Sequence, residues 1–285
     1  MTIAATKDLM SQAWRSGPAI AAFNVITLEQ AEAVVAAAEA RMAPVIVQVS
    51  ENAIRFHADR PAPLMRGILA LIEESSATAA MHLDHATSAE LCRAAVDAGA
   101  SSVMFDAAHL EFDENVRATA RLAEWAHAHG IYVEAELGAI GGKEGAHAPG
   151  VRTDPVEAKA FVAATAVDAL AVAVGSTHAQ HTRTTSLNQD LIARLRDAVP
   201  VPLVLHGSSG VSDDEIIAAI RHGIVKVNIG TALNISYTEA VRQRLMGHEA
   251  ESDPRPGLRQ ARAALTETVA QLLDTVRQPE TSARL

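Results

Sequence analysis

The residues best suited to chemistry stand where an apolar stretch at 79–85 ends in two imidazoles around a carboxylate, His82, Asp84 and His85. Side chains alternate between the two faces of a strand, so His82 and Asp84 are predicted to share a face, with His85 at or just past the strand end. Burying such groups is costly unless they pair or bind a metal. Hydrogen-bonded core histidines beside a helix-capping Asp would also explain this stretch taken alone.

Short β-rich stretches alternate with helical ones along the whole chain. The predicted strands are 19–25, 44–50, 78–84, 102–106, 131–137, 169–175, 202–206 and 224–230. The predicted helices are 28–41, 62–75, 88–98, 113–129, 155–165, 188–198, 212–222 and 232–246. Most of the strands are continuous apolar runs, as expected of parallel strands covered on both faces.

Eight strand–helix units favour one α/β domain over 1–285, a (β/α)8 TIM barrel with additional C-terminal helices. A doubly wound open sheet is the alternative, but it usually has fewer strands. Asp154 and Pro155 indicate a helix start, and Ser212–Glu215 reads as a capping box. Helix ends are predicted at three glycines, Gly99, Gly130 and Gly223.

Composition and charge exclude several classes of function. The 285 residues are 49% hydrophobic and carry a net charge of −10, so no basic surface is expected to follow a nucleic-acid backbone. The single cysteine, Cys92, is predicted to be buried and allows no disulfide within the chain, which fits a reducing cytoplasm. Without a signal-peptide core in Met1–Trp14 or a run of about 20 apolar residues, a cytoplasmic protein with no membrane partner is expected.

Polar residues occupy the predicted carboxyl ends of the strands, where TIM barrels place their active sites. These positions are Asn24, Ser50, Asp84 with His85, Asp106, Glu136, Gly175 leading to His178, His206 and Asn228. The opposite ends begin mostly with Ala, Pro or Ile, so stability alone does not explain the polarity. His85, His178 and His206 follow strands 3, 6 and 7, and three neutral imidazoles with an open position are the expected form of a catalytic zinc site.

Two loops are candidate phosphate sites. The loop after strand 7, with Gly207, Ser208 and Ser209, runs into a helix and exposes backbone N–H groups. Gly230 and Thr231 follow strand 8 in the same way. The loops after strands 7 and 8 often hold phosphate in TIM barrels, so their position strengthens a pattern that is weak in each loop alone.

Taken together, these residues resemble the class II (metal-dependent) ketose-bisphosphate aldolases over about 19–234, with a further patch at 253–255. The motifs that carry the resemblance are His82–His85, Glu134–Gly138, Gly141-Gly142 with Glu144, Thr153–Pro155, Val167–Ala173 and His206–Gly210. The resemblance implies reversible cleavage of a ketose bisphosphate to dihydroxyacetone phosphate and an aldehyde such as glyceraldehyde 3-phosphate.

The resemblance also implies a metal centre. One catalytic Zn²⁺ per chain would be bound by His85, His178 and His206. Asp106 and Glu136 would hold a second divalent ion, a monovalent cation, or the zinc ion when it is displaced.

The remaining roles follow from the same resemblance. Asp84 would protonate and deprotonate the aldehyde oxygen, and Glu144, on the Gly-rich loop 141–150, would take the α-proton of the ketose phosphate. Asn228 would contact the enediolate part of the substrate, and Arg255 would reach it from a neighbouring subunit of a homodimer or homotetramer. The substrate phosphate would be held by Gly207, Ser209 and Thr231.

Three positions depart from the family pattern. Ala179 replaces the usual Gly after the second metal histidine, and His181 stands where Tyr is frequent. Gly230 replaces the Asp that the fructose-specific branch carries two residues after Asn228. The chain therefore looks closer to the tagatose-bisphosphate branch. Because alanine keeps its backbone N–H, Ala179 is still expected to serve a substrate phosphate.

Three other functions fit these residues less well. A barrel metallohydrolase would have His-x-His on strand 1 and Asp at the end of strand 8, where Phe23–Val25 and Asn228 stand. A catalytically lapsed aldolase-like binding subunit is opposed by the intact catalytic positions. A Schiff-base aldolase needs a desolvated amine, and Lys226, two residues before Asn228, is the one lysine near a strand end.

Overall fold

A computed structural model describes residues 3–16, 18–137, 152–177, 180, 182–248 and 250–278. Within these residues, parallel strands close into a barrel in the order in which they occur along the chain. The strands are β1 (Ile20–Asn24), β2 (Val45–Ser50), β3 (Ala79–Ala86), β4 (Ser102–Phe105), β5 (Tyr132–Leu137), β6 (Ala169–Val172), β7 (Leu203–Leu205) and β8 (Ile224–Ile229). The predicted TIM barrel is confirmed.

Helices surround the barrel and alternate with its strands. They are α1 (Thr6–Ser16), α2 (Leu28–Arg41), α3 (Glu51–Phe56), α4 (Pro61–Glu73), α5 (Ala89–Asp97), α6 (Phe112–Ala128), α7 (Pro155–Thr165), α8 (Gln189–Ala198), α9 (Asp213–His222), α10 (Thr231–Gly247) and α11 (Arg255–Val276), with a 3₁₀ turn at Ser208–Gly210. No helix in the described part of the chain combines the length and apolar character needed to cross a bilayer.

Two helices of the structure were not predicted. α1 lies across the amino-terminal end of the barrel, where the backbone N–H of Ala4 donates to Ala79 O at 2.9 Å. α3 starts directly after β2 because the hydroxyl of Ser50 caps it by accepting from Ala53 N at 3.2 Å. At six residues, α3 is too short for its periodicity to stand out in the sequence.

The predicted helix ends are confirmed, with one change in the capping box. Asp154 caps α7, and the three glycines predicted to end helices all have positive φ. Ser212 accepts from Glu215 N at 3.3 Å, but the Glu215 carboxylate does not return to it. That carboxylate accepts from Leu187 N at 3.0 Å and Gln189 Nε2 at 2.9 Å, and these bonds lower its pKa. Glu215 therefore ties the loop before α8 to α9.

The barrel interior is apolar toward the amino-terminal ends of the strands. Its buried side chains are Ile20, Ala22, Ile46, Ala80, Met104, Tyr132, Ala169, Ala171, Val204 and Val225, with Leu9, Met10 and Ala13 of α1. A second, larger apolar layer, which includes the buried Cys92, fills the space between the strands and the outer helices. The two layers fix each strand from both faces, as expected for parallel strands.

Candidate active site

The inward-facing side chains change from apolar to polar toward the carboxyl ends of the strands. There they line a cleft of about 910 Å³. Among the predicted site residues, those lining it are Asn24, Ser50, Asp84, His85, Asp106, His206, Gly207, Ser208, Ser209, Asn228, Gly230 and Thr231. The closed barrel thus brings six separate parts of the sequence to one cleft.

His85 reaches the site from an irregular position in β3. The sequence predicts a strand over 78–84, with His85 at or just past its end. In the structure β3 continues to Ala86, with a register shift between Leu83 and Ala86. His85 has φ +53, which is unfavourable for a residue with a side chain and typical of functional sites. Its Nδ1 lies 2.8 Å from Asp106 Oδ2 and 3.7 Å from Glu136 Oε2.

His206 follows β7 and is fully buried. Its Nε2 lies 2.8 Å from Glu134 Oε1, and its Nδ1 lies 2.9 Å from His85 Nε2. Burial lowers the pKa of His206, partly opposed by its hydrogen bond to Glu134. A neutral imidazole is the form in which histidine binds a metal.

The two imidazoles fit a cation. Each uses one ring nitrogen against a carboxylate, His85 against Asp106 and His206 against Glu134, so each N–H points away from the other ring. The remaining nitrogens face each other at 2.9 Å, an arrangement of two acceptors that a cation would satisfy. Ligand atoms of Asp84, His85 and His206 all lie within 4.8 Å of one another, and those of His85, Asp106 and Glu136 form a second such group.

Asp84 lies beside the two imidazoles and is held from both sides by amides. Its Oδ2 accepts from Asn24 Nδ2 at 2.7 Å and its Oδ1 from Asn228 Nδ2 at 3.2 Å. Burial by itself would raise the pKa of Asp84, but the neighbouring imidazoles, His85 first and then His206, hold it below its ordinary value. Asp84 is therefore ionised and held in place by the two amides. An ionised carboxylate is the form that can accept a proton.

The loop after β7 is a tight turn at the edge of the cleft. Gly207 has φ +65, and a Cβ at this position would lie 2.8 Å from the carbonyl carbon of Thr177, so only glycine fits. Ser208 is buried, and its hydroxyl donates to the backbone oxygen of Asn228 at 2.6 Å. This bond fixes the loop after β7 against β8, and the adjacent Ser209 lines the cleft.

The loop after β8 faces the same cleft. α10 begins at Thr231 directly after Gly230, so its amino-terminal N–H groups lie next to the cleft and favour a negative charge there. Gly230 has φ −132, which any residue can adopt, while an added Cβ would approach Asn24 Cβ to 3.3 Å. The absence of a side chain at Gly230 therefore leaves room beside Asn24.

The comparisons with known proteins agree with this geometry. The model of the family described as fructose-bisphosphate aldolase class-II matches residues 4–280. The fructose-bisphosphate aldolase of Geobacillus stearothermophilus is 40% identical over 273 residues, 94% of this chain and 95% of that protein. The chain belongs to the class II fructose-bisphosphate aldolase family.

Two further relatives support this assignment. The fructose-bisphosphate aldolase of Staphylococcus epidermidis strain RP62A is 37% identical over 273 residues, 94% of this chain and 95% of that protein. The crystal structure of the YdjI aldolase from Escherichia coli K12 is 32% identical, with a TM-score of 0.84, and the match covers 99% of this chain and 100% of that one.

Membership of the class II aldolases makes the chain an aldehyde-lyase and favours this activity over the barrel metallohydrolase. The predicted closeness to the tagatose-bisphosphate branch is not confirmed, since the relatives from Geobacillus stearothermophilus and Staphylococcus epidermidis are named fructose-bisphosphate aldolases. Membership of the class II family also disfavours a Schiff-base aldolase. The structure agrees, because the amine of Lys226 is buried and donates to Glu134 at 2.7 Å.

Several predicted residues are not part of the described cleft. Glu144, His178 and Ala179 lie outside the residues that the structure describes, as does His181. Arg255 starts α11 with a largely exposed side chain that bonds Asp253 of the same chain at 2.7 Å. Its predicted action on a neighbouring subunit stays a prediction.

Four polar side chains lie directly beneath the cleft. The sequence analysis assigned none of them to the site, although it named His82, Glu134 and Lys226. The four side chains are Gln48, His82, Glu134 and Lys226, all buried inside the barrel. Each lies two residues before a predicted site residue on the same strand, and the pairing of Gln48 with His82 places these two side by side. These residues could have been predicted as part of the site, because each is a polar residue within an otherwise apolar strand. The alternation of side chains places each of them on the same face as a predicted site residue.

Proposed function

We propose that the chain catalyses the reversible cleavage of a ketose bisphosphate to dihydroxyacetone phosphate and an aldehyde, with one divalent ion, Zn²⁺, per chain. The observation that carries this proposal is the convergence of His85 Nε2 and His206 Nδ1 at 2.9 Å, next to the anchored carboxylate of Asp84. His178, outside the described residues, is proposed as the third imidazole. The names of the relatives support a fructose bisphosphate substrate.

The metal centre would be built by residues at the ends of four strands, β3, β4, β5 and β7. His85 and His206 would bind the ion through the nitrogens that face each other. Asp106 and Glu136, whose carboxylate oxygens lie near His85, would hold a second cation or the displaced one. When bound, a divalent ion supplies Lewis-acid polarisation of the ketose carbonyl and hydroxyl oxygens. Imidazole ligands suit Zn²⁺, and an open position leaves room for substrate oxygens.

Asp84 is the proposed general base and acid at the hydroxyl that becomes the aldehyde oxygen. The amides of Asn24 and Asn228 fix both of its oxygens, so the carboxylate is oriented before substrate arrives. It accepts the hydroxyl proton during cleavage and returns it during condensation. Asn228 also lies 3.0 Å from His206 Nε2. Its amide is proposed to contact the part of the substrate that becomes the enediolate.

The loops after β7 and β8 are proposed to hold the phosphate of the ketose half. Gly207, Ser209 and Thr231 line the same cleft as Asp84 and His206. Backbone N–H groups and the amino terminus of α10 favour the phosphate dianion. We expect dihydroxyacetone phosphate to bind far more tightly than dihydroxyacetone in a calorimetric titration. Equal affinities would contradict a phosphate site here.

Several further expectations stay part of the proposal. Glu144 is proposed to remove the α-proton of the ketose phosphate, and Ala179 to serve the phosphate through its backbone N–H. The family matches over 4–280 support a single domain over 1–285. A cytoplasmic homodimer or homotetramer, with Arg255 reaching a neighbour's site, is proposed by resemblance to the family. The tagatose-bisphosphate branch remains a hypothesis based on Gly230.

A chelation experiment tests the metal and the reaction together. Dialysis against a chelator should abolish cleavage of fructose and tagatose 1,6-bisphosphates, and Zn²⁺ should restore it. His206→Ala should lower the metal content measured by elemental analysis, while His129→Ala, an exposed histidine at the end of α6, should not. Full cleavage by protein without detectable metal would contradict the proposal, and cleavage of neither sugar would favour the lapsed binding subunit.

A further inference from the structure

A buried ion pair lies at the base of the site, outside the cleft itself. Lys226 of β8 and Glu134 of β5 are each 1% exposed, and Lys226 Nζ donates to Glu134 Oε2 at 2.7 Å. Buried ion pairs of this kind often contribute nothing to stability relative to well-packed apolar residues. Neither residue is assigned a role by the mechanism above, so the pair calls for another explanation.

The second oxygen of Glu134 supplies that explanation. Oε1 accepts from Nε2 of His206 at 2.8 Å, so the two oxygens serve different partners. Another near contact of this nitrogen is Asn228 Nδ2, at 3.0 Å. An ionised carboxylate oxygen such as Glu134 Oε1 can only accept. That amide nitrogen also donates to Asp84 Oδ1, so it is a donor and cannot receive the N–H of His206. Glu134 is therefore the acceptor that places the proton on Nε2.

We propose that Lys226 is a positioning residue that acts through Glu134. By occupying Oε2, it holds Oε1 toward His206 and so fixes the tautomer in which Nδ1 carries the lone pair that faces His85. The identity of the ion that uses this lone pair rests on the proposed function. The tautomer of His206 can be measured in the protein without metal. The hypothesis about the tautomer and the hypothesis about the metal can therefore be tested separately.

The variant Glu134→Gln tests this arrangement because an amide has only one oxygen. The ammonium of Lys226 must take that oxygen, which turns the amide nitrogen toward His206 Nε2. His206 then has to accept at Nε2 and carry its proton on Nδ1. Removing the ammonium as well, in Glu134→Gln/Lys226→Met, frees the amide oxygen to return to His206 and restores the original tautomer.

The readout is ¹⁵N NMR of histidine-labelled, metal-free protein, with His206 assigned from the signal lost in His206→Asn. We expect an Nε2–H tautomer in the wild type, an Nδ1–H tautomer in Glu134→Gln, and Nε2–H again in the double variant. Titration with Zn²⁺ should show affinity lowered about 10–100-fold in Glu134→Gln and recovered in the double variant. Lys159→Met, on the exposed side of α7, is the matched control and should change neither measurement.

Three results would overturn the inference. One is an Nδ1–H tautomer in the wild-type protein, which needs no variant to fold. Another is an unchanged tautomer in folded Glu134→Gln. The third is a double variant that keeps the Nδ1–H tautomer, because Lys226 would then not be what orients residue 134. Absence of Zn²⁺ binding by the wild type would instead contradict the proposed function and leave the tautomer result standing.

Discussion

The two ends of the barrel interior are built by the same strands but have opposite chemistry. β3 shows the change within five residues, from Ala80 through His82 to Asp84, all on the inward face. At the amino-terminal end such positions are apolar and pack against α1. At the carboxyl end they are carboxylates, imidazoles and amides that bond one another across the barrel.

Because of this difference, the amino-terminal part of each strand contributes mainly to stability and the carboxyl-terminal part mainly to function. The amino-terminal layer buries apolar side chains such as Met10 without any polar partner to satisfy, so it can be packed for stability alone. The carboxyl-terminal layer keeps buried polar groups that are costly to desolvate, and several of them bond one another across the barrel. Substitutions in the two layers should therefore affect different measurements.

His82 lies at the boundary between the two layers. Its Nδ1 lies 2.7 Å from Ser102 Oγ, which in turn lies 2.7 Å from Thr6 Oγ1 of α1. Burial, and next the charge of Lys226, lower the pKa of His82 to about 3. His82 is thus a neutral imidazole that connects the helix closing the barrel to the polar layer.

The largest effect is expected from Asp84→Asn, at the carboxyl-terminal end. The amide cannot take the substrate proton, so we expect the turnover of retro-aldol cleavage to fall by about 10²–10⁴-fold. Metal content should stay at the wild-type level, since His85 and His206 remain in place. Steady-state assays with elemental analysis of the same samples check both. Turnover within a few fold of the wild type would assign the proton transfer to another residue.

A smaller effect of a different kind is expected from Met10→Ala in α1. Removing a fully buried side chain leaves a cavity, so the free energy of unfolding should fall by about 2–5 kcal/mol. Zn²⁺ affinity and turnover should not change, because this layer has no part in the site. Denaturant unfolding measures the loss, and Met246→Ala is the matched control, since Met246 is 73% exposed. A large loss of turnover in folded Met10→Ala would show that the two ends are not independent.

The smallest effect is expected at the boundary, from the pH dependence of stability. Because the folded pKa of His82 is about 3 and its ordinary value is 6.5, the unfolded chain binds the extra proton between these values. His82 thus lowers the free energy of unfolding by about 1.4 kcal/mol for each pH unit as the pH falls through this window.

His82→Gln should remove that part of the slope, which is measured by unfolding metal-free protein at pH 6.5, 5.5 and 4.5, within the window set by the two pKa values. His129→Gln, at an exposed histidine, should keep the wild-type slope. An unchanged slope in His82→Gln would mean that His82 takes up its proton in the folded protein.

Local patterns in the sequence were enough to predict the alternation of strands and helices and the polar residues at the strand ends. These features depend on local periodicity and on capping residues such as Asp154, which act within a few positions of the chain. α1 was not predicted because the barrel residues against which it packs are distant in the sequence. α3 was not predicted because it is only six residues long.

The partners of those side chains, in contrast, depend on the closed barrel. Lys226 and Glu134 are 92 residues apart, and His206 and His85 are 121 apart, so no local pattern relates them. Their contacts depend on the closing of the barrel and on the strand register, including the shift in β3 that turns His85 inward at positive φ. A buried charge needs a partner, and here the partner lies on another strand across the barrel. The closed fold therefore also specifies which nitrogen of His206 faces the site.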